Sequence, residues 1–386
     1  MNKIILYSAL LLIGLIFSQL FPQIISGYES VQPYLMVITM SALAYIMINV
    51  GREFEIDKNN LKQYGWDYVV AMTTATFPWI AVVLYFIFVL LPPELWFTGD
   101  AWKETLVIGR FAAPTSAGVL FAMLAAAGLG ATWMFAKARI LAIFDDLDTV
   151  LLMVPLTILV VGWRPALGLT LLLMLAILVI GYKYLHKWNI PSSAPAIVAY
   201  SVFIAVICEL FYLQTNIHFE VLLPAFVLGC VMKSQHETAD DQKVSTIVAS
   251  AFMVLVGLSL PQIFGAPEVI DSSSVSMSMP AMTMKEILFH VFMISIICNL
   301  GKMFPVFCYR KEATLKERLA LSIGMWPRGE VGAGVLMISI GYGFGGPLVT
   351  ISMLSLALNL ILTGFFIMMV RSLIIGKEEG VSYEKA

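Results

Sequence analysis

The chain has 386 residues, of which 60% are hydrophobic and only 12% charged, about half the charge of an ordinary soluble domain. With a mean hydropathy of +0.90, too little polar side chain remains to cover a water-soluble fold of this size, which points to a polytopic membrane protein. A net charge of −2 and a pI near 6.1 exclude nucleic-acid binding as the main activity. The four cysteines (Cys208, Cys230, Cys298, Cys308) lie scattered in apolar stretches without CxxC spacing. They read as packing residues, not as a disulfide or zinc framework.

About 20 apolar residues cross the hydrocarbon as one helix. Read between polar breaks, the sequence predicts an all-α protein with about twelve transmembrane helices near 4–21, 34–50, 66–91, 102–127, 135–162, 166–185, 196–213, 218–232, 244–262, 286–308, 318–342 and 347–371. The first run has no small-residue cleavage site before Phe21-Pro22, so it reads as a retained span, with a cleaved signal peptide as the alternative. Both termini and the segments after even-numbered spans carry 17 Lys and Arg, against 3 after odd-numbered spans. By the positive-inside rule both termini are expected in the cytoplasm, with the chain in the cell (inner) membrane. The expected organisation is a transmembrane domain over 1–374 and a short cytoplasmic tail over 375–386.

The other basic residues, Arg110, Lys302 and Arg328, fall inside spans together with Asp145, Asp146, Asp148 and Glu330. Charge at membrane depth is costly and suggests a functional site. In the fifth span, Asp145, Asp148 and Thr149 share a face by i, i+3, i+4 spacing, while Asp146 points about 100° away from Asp145. Asp145 lies eight residues inside the basic anchor Lys137 and Lys302 eight residues inside Arg310, so both are expected roughly 12 Å from the cytoplasmic edge. An acid and a base at one depth should pair. Asp146 is then the candidate proton and cation carrier: burial disfavours its ionised form and a nearby lysine favours it, the balance that a proton-coupled carrier needs. The competing account makes these charges structural ion pairs. For Asp148, whose ionised carboxylate could lie in a hydrated vestibule, the structural account is the stronger one.

The fourth span contains Ala112-Ala113-Pro114-Thr115-Ser116-Ala117-Gly118 and the eleventh Trp326-Pro327-Arg328-Gly329-Glu330-Val331-Gly332. Proline removes a backbone donor and clashes with the preceding turn, so both helices are expected to break. Pro114 is 11 residues from Lys103 on the outer side, and Pro327 is 9 from Arg318 on the inner side. Two mid-membrane breaks entered from opposite sides are the pattern of an inverted repeat with crossed discontinuous helices, the sequence mark of a secondary transporter. Freed carbonyls there can bind a cation, and Arg110, Arg328 and Glu330 are the candidates for compensating the half-helix dipoles.

These residues resemble a known family. The stretch APTSAGVLFAMLAAAGLGATWMFAKARILAIFDDLDTVLL, with GREFEID, LVGLSLP, NLGKMFP and PRGEV in the same order, is similar to the bacterial monovalent cation:proton antiporters (sodium/proton exchangers) over roughly residues 40–370. The resemblance implies an electrogenic Asp-Asp branch. It makes Asp146 the ion-binding aspartate, Asp145 its neighbour paired with Lys302, and Thr115 and Ser116 part of an unwound crossover. Glu330 becomes structural or pH-sensing. It also implies a homodimer with a core bundle (roughly 66–162 and 286–371) moving against a panel domain. The substrates would be protons and Na+ or Li+, with K+ a further possibility, held by Asp146, Asp145 and Thr115 with no cofactor. Some members have thirteen helices rather than twelve, and the Gln-Asp pair of the potassium-efflux arm is not matched. Asp148 belongs to no part of the family motif.

Other classes fit less well. Ser339-Ile340-Gly341-Tyr342-Gly343 resembles a potassium-channel filter, but it follows a full span and occurs once, so a turn between the last two spans is expected. An aspartyl enzyme needs two carboxylates facing each other, and Asp145 and Asp146 diverge. An organic-anion symporter of related fold has no need of paired acids with a lysine. The methionines of 275–284 suit Cu(I), although a linker is the expected role. The histidines (His186, His218, His236, His290) stand alone and read as surface or packing residues, with a pH-sensor role open for His236.

Overall fold

The computed structural model describes residues 2–24, 28–52, 61–162, 165–215, 221–232, 239–258 and 282–375. Among them fourteen α-helices follow in chain order: α1 (Asn2–Ile24), α2 (Tyr28–Arg52), α3 (Leu61–Tyr85), α4 (Gly99–Gly109), α5 (Ala117–Ala126), α6 (Trp133–Val161), α7 (Pro165–Lys183), α8 (Ala194–Thr215), α9 (Leu222–Val231), α10 (Ala239–Leu258), α11 (Met284–Gly301), α12 (Leu315–Gly324), α13 (Glu330–Gly341) and α14 (Gly346–Ile375). Short 3-10 turns follow α4 (Arg110–Ala112) and α11 (Phe304–Phe307). The described residues hold no strand, only an isolated bridge between Trp188 and Met232. A chain immersed in hydrocarbon has no water to satisfy its backbone, and helices satisfy it internally.

The burial pattern inverts that of a soluble protein. Phe203 and Leu213 on α8, Leu172 and Val179 on α7, and Phe292 and Leu300 on α11 are exposed, while Asp67, Arg110, Asp145, Asp148, Lys302 and Arg328 are buried. Among the described residues, six helical stretches are long and apolar enough to cross a membrane: Lys62–Leu90, Gly99–Ala126, Ala194–Gln214, Asp241–Leu258, Met284–Phe307 and Gly346–Ile375. Three shorter apolar helices, Ile5–Phe21, Tyr34–Asn49 and Val331–Ile340, accompany them. α6, at 29 residues, is as long as or longer than all of these but Gly346–Ile375, and it carries charges of the candidate site.

Packing sorts the helices into two groups. α1 lies on α10, α2 on α8 and α9, and α7 on α9; separately, α3 packs on α6 and α11, α14 on α11 and α12, and α5 on α6. α1 joins the groups by contacting α14 and α5. In the second group Gly301 lets α11 reach α3, because a Cβ there would stand 2.7 Å from the backbone N and Cα of Pro78.

Several boundaries differ from the sequence expectations. The run 102–127 is two helices, α4 and α5, and 318–342 is also two, α12 and α13. The α-helix expected over 286–308 stops at Gly301, so Lys302 is its C-cap and not an interior residue. That position favours a cation, because the last carbonyls carry the negative end of the helix dipole. Ser339–Gly341 close α13, and the chain turns at Gly343 (φ 82°) before α14. Of the other segments singled out above, residues 259–262, 275–281 and 376–386, with His218 and His236, lie outside the described residues.

Candidate functional site

The two helix interruptions form where proline, by itself, does not suffice. Pro78 and Pro155 sit inside α3 and α6 without ending them. At Pro114 and Pro327 the helices do end, because the backbone groups released there find partners in each other and in nearby side chains. Ser116 N donates to the Pro327 carbonyl at 2.9 Å. Thr115 N donates to Asp145 Oδ2 at 2.9 Å, and Thr115 Oγ1 to the Met325 carbonyl at 3.1 Å. Arg328 N donates to Asn359 Oδ1 at 2.8 Å. Buried backbone donors and acceptors must be paired somewhere, and here the pairing links one break directly to the other.

Arg328 works on the acceptor side of both breaks. Its Nε donates to the Ala112 carbonyl (3.1 Å), Nη1 to Asn299 Oδ1 (3.0 Å) and the Trp326 carbonyl (3.2 Å), and Nη2 to the Cys298 carbonyl (2.8 Å). A fully buried guanidinium thus supplies positive charge where helix segments end in unpaired carbonyls. Asn359 adds a bond from Nδ2 to the Trp326 carbonyl at 3.2 Å.

The charged node lies beside these breaks. Lys302 Nζ stands 2.9 Å from Asp145 Oδ2, with both side chains fully buried. The same ammonium donates to Thr115 Oγ1 at 2.8 Å. Asp145 Oδ2 therefore accepts from two donors, Lys302 and the Thr115 amide, while Thr149 Oγ1 bonds the Asp145 main-chain carbonyl at 2.9 Å. α6 supplies the acid, the end of α11 the base, and the gap between α4 and α5 the threonine.

Arg110 is the C-cap of α4 and also reaches across to α6. It is fully buried, and its Nη2 donates to the main-chain carbonyl of Asp148 at 3.1 Å, with the guanidinium 4.7 Å from the Trp79 ring centroid. Asp148 is itself buried at 2% exposure, so this side chain does not reach an open vestibule. The side chains of Asp146 and Glu330 lie outside the described residues, although the backbone of each is helical, in α6 and at the start of α13.

Thr115, Asp145, Lys302, Ser116, Pro327 and Arg328 are thus brought together, with Pro114 in the gap they surround and Arg110 contacting Asp148. Two groups escaped the sequence reading. Asn299 and Asn359 are amides within apolar runs, a polar signal weaker than charge. The second group is a buried cluster between the first turns of α3 and α6 and the segment after the 3-10 turn Phe304–Phe307. Asp67, fully buried, takes Lys137 Nζ at 3.1 Å and the Tyr309 hydroxyl at 2.7 Å. Lys137 also lies 3.4 Å from Glu312 and over the Tyr309 ring. Lys137 is therefore a buried ion-pair partner, not just a solvated anchor.

No protein-family model matches the sequence, and no curated protein matches it. Among solved structures it is similar to the sodium proton antiporter MjNhaP1 from Methanocaldococcus jannaschii, at pH 8, with TM-score 0.56. The sequences are 15% identical, and the match covers 93% of this chain and 91% of that one. At this identity the likeness establishes a shared fold.

Proposed function

We propose that this protein is a secondary antiporter that exchanges a monovalent cation, Na+ or Li+ and also K+ if the site is permissive, for protons by alternating access. The observation that carries this is the joining of the two helix breaks beside the Lys302–Asp145–Thr115 node, in a chain that shares its fold with a sodium proton antiporter. Broken helices whose carbonyls lie outside regular helical bonding, beside buried ionisable groups, are what a transporter needs to desolvate an ion.

In this mechanism Asp146 binds the cation or a proton, and each expels the other. Oxygen ligands suit hard monovalent ions, and Asp145, Thr115 and the interrupted backbone supply them. Asp145 and Lys302 form one ion-paired unit. If that unit and Asp146 each carry one proton, two protons cross per cation, and the exchange is electrogenic. The helices from 66–162 and 286–371 act as the moving core, the others as the panel and the surface for a homodimer in the cell membrane. Only the loaded core crosses, which makes exchange obligatory.

The test uses purified protein in liposomes holding a pH dye. Pulses of Na+, Li+ and K+ should each report whether protons move in the opposite direction, and Asp146→Asn should abolish the signal while preserving the fold. Full exchange in that variant would remove Asp146 from the mechanism. Ion flux without proton movement would favour a channel, and proton-independent anion uptake a symporter.

A further inference from the structure

We propose that Asp148 is an oxygen ligand of the transported cation, shared with Asp145, and that it sets which monovalent ion is preferred; this rests on the antiporter reading above. Asp145 divides its carboxylate between two tasks. Oδ2 is occupied by Lys302 Nζ and the Thr115 amide, each at 2.9 Å, whereas Oδ1 is buried with no hydrogen-bond partner. Three residues on, Asp148 repeats the pattern: the residue is 2% exposed and its Oδ2 is buried and unpartnered. Thr149 fills neither oxygen, since its hydroxyl turns back to the Asp145 carbonyl.

Residues at i and i+3 have Cβ atoms about 5–6 Å apart on one helix face, a spacing that one cation's oxygen shell can bridge. Leaving two carboxylate oxygens buried and unfilled is costly. A bound cation fills both.

Arg110 explains why the carboxylate of Asp148 is left for an ion. Nη2 reaches the main-chain carbonyl of Asp148 at 3.1 Å, and the guanidinium lies over Trp79. Nε and Nη1 are buried and meet no acceptor. The arginine therefore offsets the charge of Asp148 without occupying its carboxylate. Coulombic attraction grows as the separation shrinks, so a second carboxylate in the shell favours Li+ and Na+ over K+.

Binding of Na+, Li+ and K+ to the purified full-length protein is measured by calorimetry at one pH for wild type, Asp148→Asn, Asp148→Glu and the double variant Asp148→Asn/Arg110→Gln. Asp148→Asn should weaken Na+ and Li+ binding at least about tenfold and K+ binding less. The double variant restores the wild-type net charge and should remain weak. Asp148→Glu keeps a carboxylate but moves it, so Na+ binding should persist with an altered Li+/Na+ ratio. Recovery in the double variant would make Asp148 only the counter-charge of Arg110 and overturn the proposal. Wild-type Na+ affinity in Asp148→Asn would overturn it as well, and so would an unchanged Li+/Na+ ratio in Asp148→Glu. If Asp148→Asn does not fold, the double variant and Asp148→Glu decide. A wild type that binds Na+ but exchanges no proton would instead fail the antiporter reading.

Discussion

The amide of Ser116 donates to the carbonyl of Pro327 at 2.9 Å, across more than half of the chain. This bond ties the gap between α4 and α5 to the gap between α12 and α13. In a bilayer an interrupted backbone is tolerated only where protein or trapped water replaces the lost helical bonds, and here each interruption serves the other.

Ser116→Pro isolates that bond. Ser116 has φ −72°, close to the value that proline imposes, so the change chiefly removes the donor. The orphaned Pro327 carbonyl should cost about 1–3 kcal/mol in thermal unfolding, beyond any effect of Ser116→Ala, which controls for the side chain. Equal stability of the two variants would show that the bond contributes nothing.

Lys302→Met should be strongly destabilising. Removing one member of a buried ion pair typically costs about 3–5 kcal/mol because the remaining charge is uncompensated. Lys302→Met/Asp145→Asn should regain most of that loss. Additive effects in thermal unfolding would contradict a direct pair. Lys302→Ala should also shift the pH dependence of exchange, and its voltage dependence should fall if Lys302 carries a proton.

Arg328→Lys should not be conservative. The guanidinium bonds the carbonyls of Ala112, Trp326 and Cys298 and the amide of Asn299, a fan that a single ammonium cannot reproduce. Several buried acceptors lose donors at about 1–3 kcal/mol each, so the variant should unfold well below wild type and exchange poorly. Wild-type stability would mean that water substitutes for the arginine.

Much of this site is legible from elementary rules. Equal depth of Asp145 and Lys302 in the sequence suggests the pair that stands at 2.9 Å in the structure. The two prolines followed by small residues locate both breaks. What the sequence conceals is the wiring. Proline alone does not distinguish Pro114 from Pro155, and the partners that complete the break come from distant segments. Nor does the pattern reveal that Arg328 serves carbonyls rather than a carboxylate, or that Arg110 takes the main chain of Asp148. The buried role of Asp67 is hidden because its partners, Lys137 and Tyr309, are 70 and 242 residues away.

The Asp67 cluster predicts an alkaline signature. Burial, reinforced by the neighbouring Asp67 carboxylate, pushes the Tyr309 phenol up from its ordinary value of 10.0. A raised folded value means that this contribution to stability is complete below pH 10 and is lost as pH rises further. Tyr309→Phe should lower stability by about 1 kcal/mol at neutral pH and flatten the decline above pH 10. Melting temperatures of both proteins across that range check this. Parallel curves would exclude Tyr309 as the source.

Proton-driven sodium uptake tests the central claim most directly. Vesicles containing the purified protein are loaded at acidic pH and diluted into alkaline medium with radioactive sodium. Antiport predicts that the outward proton gradient drives sodium accumulation above the external concentration, that a protonophore abolishes it, and that Asp146→Asn vesicles show none. Sodium entry that merely equilibrates, independent of the proton gradient, would contradict exchange.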